Sequence, residues 1–278
     1  MNDTSLRLAW LTDAHMSSPA YSGQTGLPYG DFVRLAIRDR IDAVLTEGTL
    51  AEISRLVAAS EQLRDESHPC PLLFTVREPG FAHKSIADFQ QPIKRLCTRS
   101  QYLHYLGADD EPLPLSKSLA LVGHDGWADS RYGMDDPSVH DDTDRDTLGS
   151  TSRPDQFLAR SNLDGLADEA VDRLFHVLCK AVKHFPRVVL LTAVPPWLEL
   201  CSFGERLRQY PYAPIYSSAT AGFAIEQVMK QAPHCKLVVL SGRCGAFAKF
   251  RPLPNILAFS GDERRSPDEV CSILRLAA

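Results

Sequence analysis

The chain alternates between short apolar runs and longer amphipathic segments. Seven apolar runs, each ending at glycine or a polar residue, predict β-strands at 6–12, 42–47, 71–76, 118–123, 188–194, 236–241 and 255–260. Nearly continuous hydrophobicity is typical of strands that are covered on both faces, as in layered α/β folds. We therefore expect sheets that lie between other layers.

The segments between these runs carry hydrophobic residues at helical spacing. They predict helices at 31–40, 50–66, 84–98, 163–184, 217–231 and 267–276. In the fourth of these, Leu166, Leu174 and Leu178 share one face, whereas Asp168 and Lys180 fall elsewhere. The alternation of strand and helix predicts the α/β class. No repeat or linker divides the sequence, so we expect one domain over 1–278.

Composition narrows the class of protein. Hydrophobic residues make up 44% of the chain and charged residues 23%, which is ordinary for a globular protein. The formal net charge of -5 argues against binding to nucleic acid or to a membrane surface through a global positive field. The seven cysteines are scattered, which favours reduced thiols, and the first residues do not resemble a signal peptide or a membrane span. We expect a cytoplasmic protein.

One segment departs from this average composition. Residues 129–155 are crowded with aspartate, together with glycine, serine and proline. We interpret the segment as an acidic surface loop or insertion. Calcium binding is a sharper alternative, but the glycine and the closing glutamate of an EF-hand loop are not at the required positions.

Functional side chains in layered α/β proteins gather just beyond the carboxyl ends of strands. Asp13 and His15 follow the first predicted strand and lie two residues apart, so both point to the same side of an extended chain. A carboxylate and an imidazole in this arrangement can ligate a divalent metal. A capping aspartate beside a hydrogen-bonded histidine explains the same short pattern. The later strand ends fall at 47–49, 77–80, 123–127, 192–197 and 241–245.

In their order and approximate spacing, these strand ends resemble those of the calcineurin-like metallophosphoesterases. The resemblance covers nearly the whole chain and is carried by LAWLTDAH, DAVLTEGTLAE, PLLFTVREPGFAHKSI, LALVGHDGWADSRYG, VVLLTAVPPW and LVVLSGRCGAFAKFRPLPN. VGHDGWADSRYG and RPLPN are similar to a bacterial branch of that family. The resemblance implies a layered α/β/β/α sandwich, with a central mixed β-sandwich flanked by helices. It also implies two divalent metals that hydrolyse a phosphate ester through a metal-bound hydroxide.

Carried over by position, the resemblance implies that most metal ligands have been replaced. Asp13 and His15 match the opening Asp-x-His motif of the family, and Glu78 is a candidate new ligand. The other ligand positions of the family fall on Thr49, Pro79, Ala193, Arg243 and Gly245. A two-metal site needs enough anionic and imidazole ligands to offset four positive charges. We therefore expect either no metal or one weakly bound manganese, iron or zinc ion.

Two arginines change the electrostatics that the resemblance implies. Arg77 and Arg243 place positive charge near the former metal positions, which disfavours metal entry. We interpret Arg243 first as an internal partner of Asp13 or Glu78, because a buried carboxylate that has lost its metal needs a positive partner. The other interpretation is an anion site in which Arg77, Arg243 and His124 bind a phosphate group.

Three functional hypotheses follow. The first is a degenerate metallophosphoesterase-like protein, a pseudo-phosphoesterase with a binding or regulatory role toward a phosphate-containing small molecule. The alternative is an active metal-dependent phosphoesterase with an altered site, which would need two metals. The third is a purely structural or interaction module. Motifs of dinucleotide oxidoreductases, P-loop NTPases and α/β-hydrolases are absent from the sequence, which disfavours those classes.

Overall fold

The computed structural model describes twelve stretches of the chain: 6–11, 40–50, 53–54, 56–57, 70–77, 85–98, 100–129, 131–132, 153–201, 217–242, 247–261 and 272–276. Within these stretches the chain forms two β-sheets and three long α-helices. The fold is mixed α/β, as the sequence predicts.

The first sheet has five strands in the order β11-β1-β2-β3-β4. Their bounds are β1 (Leu6–Leu11), β2 (Ala43–Gly48), β3 (Leu72–Val76), β4 (Leu103–Tyr105) and β11 (Ser272–Leu276). Strands β1 to β4 are parallel to one another, whereas β11 is antiparallel to β1. The sheet is therefore mixed, and its parallel strands all end at one edge.

The second sheet has six strands in the order β5-β6-β7-β8-β10-β9. Their bounds are β5 (Leu113–Pro114), β6 (Leu119–His124), β7 (Arg187–Thr192), β8 (Lys236–Ser241), β9 (Ala248–Phe250) and β10 (Ile256–Ser260). The four central strands are parallel, and the short outer strands β5 and β9 are antiparallel to their neighbours. This sheet also presents a single carboxyl edge.

The long helices are α1 (Ile86–Cys97), α2 (Arg153–His184) and α3 (Ala219–Gln231). Ser85 and Ser218 each precede a helix, and their side chains accept hydrogen bonds from backbone N–H groups of the first turn of α1 and α3. Helical residues also occur within 50–57, between β2 and β3. In the described part of the chain, no helix combines the length and the apolar character that a membrane span needs.

The hydrophobic core has three parts, because alternate residues of each strand point to opposite faces of its sheet. One cluster joins the two sheets face to face and includes Leu8, Leu45, Leu73, Leu121 and Leu191. A second cluster packs the outer face of the first sheet against α1 and part of α2. The third packs the outer face of the second sheet against α2 and α3. Strands covered on both faces explain the continuous apolar runs.

The seven predicted strands are confirmed as β1, β2, β3, β6, β7, β8 and β10, and no end differs by more than two residues. The predicted helix at 267–276 is wrong over 272–276, where the chain forms β11. Helix α2 begins at 153, ten residues earlier than the predicted start at 163. The predicted helix at 31–40 lies outside the described residues except for Arg40, which is in a turn.

Candidate functional site

The described strand ends form a regular edge in each sheet. One residue beyond the strands, the Arg77 N–H donates to the Gly48 carbonyl at 2.8 Å. In the second sheet, the Ala193 N–H donates to the His124 carbonyl at 3.2 Å, and the Gly242 N–H donates to the Thr192 carbonyl at 3.1 Å. These bonds continue the hydrogen bonding of each sheet one residue past the strands. They therefore fix the position at which each following segment starts.

The carboxyl edges of the two sheets converge on one side of the molecule. Gly242 follows β8 of the second sheet, and a Cβ placed there would lie 2.3 Å from the Ala193 carbonyl oxygen and 3.4 Å from Glu47 Cγ of the first sheet. Asp125, which follows β6, accepts a hydrogen bond from the Val76 N–H at the end of β3. We call the region between these edges, bounded by 47–49, Arg77, Ala193 and Gly242, the carboxyl-edge cleft.

Glu47 is the buried carboxylate of this cleft. It has no exposed surface, and its Oε2 accepts a hydrogen bond from the Trp10 indole N–H at 3.1 Å. Alternation along β2 places Glu47 on the face that carries Leu45, toward the second sheet. Sequence reasoning did not select Glu47. The pattern that could have indicated Glu47 is an acidic residue inside an otherwise apolar strand, because a carboxylate is rarely buried without partners.

Two of the predicted degenerate ligand positions are described at this edge. Thr49 is partly buried, and its carbonyl accepts a hydrogen bond from the Ile53 N–H at 3.0 Å. Ala193 is 2% exposed and presents only a methyl group. Two divalent metals need a bridging carboxylate and imidazole ligands, which neither side chain supplies. These two positions therefore do not fit a two-metal centre.

The other predicted metal positions, Asp13, His15, Glu78, Pro79, Arg243 and Gly245, lie outside the described residues, and their roles stay predictions. Across the described stretches, no group of three or more His, Cys, Asp or Glu side chains is placed to hold a metal ion.

Arg77 is a positively charged residue of the candidate site that the structure describes. It is partly buried and lies directly after β3. It is two residues beyond Thr75, which stands opposite Glu47 in the register of β2 and β3. Thr75 is fully buried, and its hydroxyl has no hydrogen-bond partner among the described residues. The end of β3 therefore carries one positive charge and, two residues before it, a buried hydroxyl without a partner among the described residues.

His124 lies away from this cleft. It is 1% exposed, follows Val122 by two residues on the side of β6 that faces the helices, and has no hydrogen-bond partner for either ring nitrogen among the described residues. Burial, and after it the positive charge of Arg173 on α2, lowers the pKa of His124 to about 3. The neutral imidazole argues against the predicted anion-binding role.

Asp125 connects the two sheets. It is 2% exposed, its Oδ1 accepts from the Val76 N–H at 3.1 Å, and its Oδ2 accepts from the Tyr105 hydroxyl. Burial raises the pKa of Asp125 to about 6, although the two hydrogen bonds and the charge of Arg173 act in the opposite direction. Gly107 leaves room for the carboxylate, since a Cβ there would lie 2.0 Å from Oδ1.

The acidic segment predicted at 129–155 does not begin as an exposed loop. Asp129 has no exposed surface and accepts backbone hydrogen bonds from Ala219 at 3.1 Å and Thr220 at 2.6 Å, at the start of α3. Arg131 pairs with both carboxylate oxygens of Asp168 on α2, at 2.8 and 3.0 Å. Asp129 and Arg131 are therefore part of the packed fold, and a surface loop or insertion within 129–155 stays a prediction. Residues 133–152 lie outside the described residues.

Comparison with known proteins gives one structural likeness. No family model matches the chain, and no curated protein matches it in sequence. The crystal structure of the phosphopantetheinyl hydrolase PptH from Mycobacterium tuberculosis matches it with a TM-score of 0.58. The match covers 98% of this chain and 96% of that one, at 10% sequence identity. At that identity the likeness shows a shared fold, here the fold of a hydrolase, and nothing about the reaction.

Proposed function

We propose that this protein is a degenerate metallophosphoesterase-like protein that binds a phosphate-containing small molecule at the carboxyl-edge cleft and lacks two-metal hydrolysis. The layered α/β/β/α arrangement of the metallophosphoesterase type is part of this proposal. The observation that carries it is Ala193, whose side chain is a buried methyl group at a position where the family resemblance implies an imidazole ligand, and whose backbone carbonyl packs against Gly242.

Charge supports an anion as the ligand. Arg77 lies at the rim of the cleft, and a guanidinium group suits a phosphate because it offers several N–H donors in one plane. The buried hydroxyl of Thr75 adds a donor that has no protein partner among the described residues. A buried polar atom of this kind favours a binding protein over the purely structural module, because native structures rarely leave such atoms unsatisfied.

One observation favours the second candidate, an active metal-dependent phosphoesterase with an altered site. Glu47 brings a buried carboxylate to the same cleft. With the predicted ligands Asp13, His15 and Glu78, it would raise the number of anionic or imidazole ligands to four. A new metal centre built on different residues would then replace the one that the family resemblance implies.

Metal content separates these two candidates. The purified protein is loaded with manganese, zinc and iron in turn, desalted, and measured by elemental mass spectrometry, while hydrolysis of bis(p-nitrophenyl) phosphate is followed in parallel. We expect no metal, or at most one ion per chain, and no hydrolysis above background. Two ions per chain together with hydrolysis would overturn the proposal and establish the active enzyme.

Ligand binding is tested by calorimetry with inorganic phosphate, AMP and 4′-phosphopantetheine. The last is included because the structural match is named for phosphopantetheinyl hydrolysis. Arg77→Ala should weaken binding at least about tenfold, as expected for loss of a hydrogen bond to a charged group. Arg95→Ala is the matched control, because Arg95 is exposed in the last turn of α1, near the opposite edge of the sheet. Equal ligand affinity in both variants would show that Arg77 is not part of the binding site.

A further inference from the structure

Asp125 is a buried carboxylate that the proposed function does not use. Hydrogen bonds from β3 and β4 of the first sheet hold it in place, although it directly follows β6 of the second sheet. Its position also depends on a glycine, because any side chain at Gly107 would collide with the carboxylate. The fold therefore supplies the Asp125 carboxylate with two hydrogen-bond donors and with the space that it occupies.

The contact of Asp125 with β3 falls beside the cation of the candidate site. Oδ1 accepts the N–H of Val76, and Val76 is followed directly by Arg77. The N–H of Arg77 is itself bound to the Gly48 carbonyl. Two consecutive backbone N–H groups are therefore fixed, one to the second sheet and one to β2. Together these bonds set where the Arg77 side chain leaves the backbone.

We propose that Asp125 is a positioning residue, which in its ionised form holds the end of β3 so that Arg77 meets the phosphate group of the ligand. This inference rests on the proposed function. The ionised carboxylate accepts from Val76 and Tyr105 at once. Protonation turns one of its oxygens into a donor, so one of the two bonds must rearrange.

The surroundings of Asp125 make this protonation accessible near neutral pH. The titratable and charged groups that face it from the described elements are Tyr105 of β4 and Arg173 of α2. Burial raises the pKa of Asp125 to about 6. Above this pH the carboxylate is ionised and both bonds form. Ligand affinity should therefore fall as the pH is lowered through about 6.

Sulfate is the appropriate probe, because its charge stays constant from about pH 5 to about pH 8, whereas phosphate titrates in that range. Affinity is measured by calorimetry for the wild type, Asp125→Asn and Asp129→Asn. We expect the wild type to bind sulfate several-fold more weakly below pH 6 than at pH 7.5. Asp125→Asn should bind more weakly at pH 7.5 and lack the pH step, because an amide has one acceptor oxygen and does not ionise.

Asp129→Asn is the matched control, since Asp129 is equally buried and accepts backbone hydrogen bonds in the same segment, but at the start of α3. It should keep both the affinity and the pH step. An Asp125→Asn variant with wild-type affinity and an unchanged pH step would overturn the proposal, and so would equal losses in the two variants.

Nuclear magnetic resonance keeps this proposal separable from the proposed function. The Arg77 Nε–Hε signal and the Val76 amide signal are followed between pH 5 and 8 without ligand, in the same three proteins. We expect both signals to titrate near pH 6 in the wild type and in Asp129→Asn, and to lose that step in Asp125→Asn. If the wild type binds none of inorganic phosphate, AMP and 4′-phosphopantetheine, the proposed function fails. The coupling of Asp125 to Arg77 is then tested by these two signals alone.

Discussion

The indole N–H of Trp10 donates a hydrogen bond to Glu47 Oε2 across 3.1 Å, and both side chains are buried between the sheets. A phenyl ring in place of the indole would leave that oxygen without this donor. We expect Trp10→Phe to lower the free energy of unfolding by about 2–3 kcal/mol, because a buried carboxyl oxygen loses its hydrogen bond from the indole. Urea denaturation at neutral pH measures this change.

Trp197→Phe is the control for that prediction. Trp197 also donates its indole N–H to a glutamate at 3.1 Å, but that residue, Glu226, is partly exposed and pairs with Lys230. Water can replace the lost donor there, so the cost should be about 1 kcal/mol or less. Equal losses in the two variants would contradict the idea that burial of Glu47 decides the energy.

Gly242 is tightly enclosed at the carboxyl-edge cleft. A methyl group there would lie 2.3 Å from the Ala193 carbonyl oxygen, which belongs to the backbone and moves only with the strand end. We expect Gly242→Ala to destabilise the protein by at least about 2 kcal/mol through overpacking. Gly165→Ala in α2, where no described atom beyond the adjoining residues and helix backbone lies within 4 Å of the added methyl group, should stabilise the protein by about 0.5–1 kcal/mol. Thermal unfolding of the two variants compares these opposite signs.

Asp129 caps α3 from inside the protein. Asp129→Ala removes the acceptor of the backbone N–H groups of Ala219 and Thr220, and leaves these partly buried donors without that partner. We expect a loss of about 2–3 kcal/mol in unfolding free energy. Asp168→Ala removes an exposed partner of Arg131 and should cost less than about 1 kcal/mol. A similar cost at both positions, measured by urea denaturation, would count against the capping role.

Asp125 and His124 should oppose each other in the pH dependence of stability. The pKa of Asp125 is raised to about 6 in the folded state, so its contribution to stability is full below the unfolded value near 3.8 and is lost as the pH rises through 6. The pKa of His124 is lowered to about 3, so stability falls as the pH drops below the unfolded value of 6.5. Between about pH 4 and 6 these slopes have opposite sign.

Asp125→Asn removes the opposing contribution of Asp125, so the unfolding free energy of this variant should follow the pH dependence that His124 causes. We expect the unfolding free energy of this variant to fall by about 1.4 kcal/mol for each pH unit between 6 and 4, more steeply than that of the wild type. Urea denaturation across this range measures both slopes. Parallel curves for the two proteins would mean that Asp125 does not titrate there.

Sequence reasoning located the central strands because burial on both faces leaves a strong apolar signal. It missed β4, β5 and β9, which have three residues or fewer and lie toward the sides of the sheets. It assigned 267–276 to a helix, although 272–276 pairs with β1 as a strand. Local propensity decided that prediction, whereas pairing with a strand more than 260 residues away decides the structure.

The site was predictable as an edge but not as a set of side chains. Strand ends indicated where Thr49, Arg77 and Ala193 would lie. They did not indicate that His124 faces the helices, because the direction of a side chain depends on which face of the sheet each helix covers. Glu47 was passed over for a related reason. Its burial depends on Trp10, a contact between β1 and β2 that spacing along the chain does not reveal.

Part of the family resemblance rests on residues that stabilise the fold. In RPLPN, the Asn255 side-chain amide donates to the carbonyls of Met229, Ala232 and Cys235, at and just after the end of α3. In WADSRYG, Asp129 caps the start of the same helix. The two motifs therefore hold both ends of α3. Their presence is evidence for the architecture and carries no information about catalysis.

The pairing of β1 with β11 has a consequence for how the protein is made on the ribosome. Leu6 lies opposite Leu276, whereas all six strands of the second sheet come from one continuous stretch, 113–260. The second sheet can therefore assemble before β11 is translated, whereas one edge of β1 stays without its β11 partner until then. An unpaired strand edge is a template for association with other chains. Nascent chains stalled before β11 should accordingly be the species that most needs chaperones.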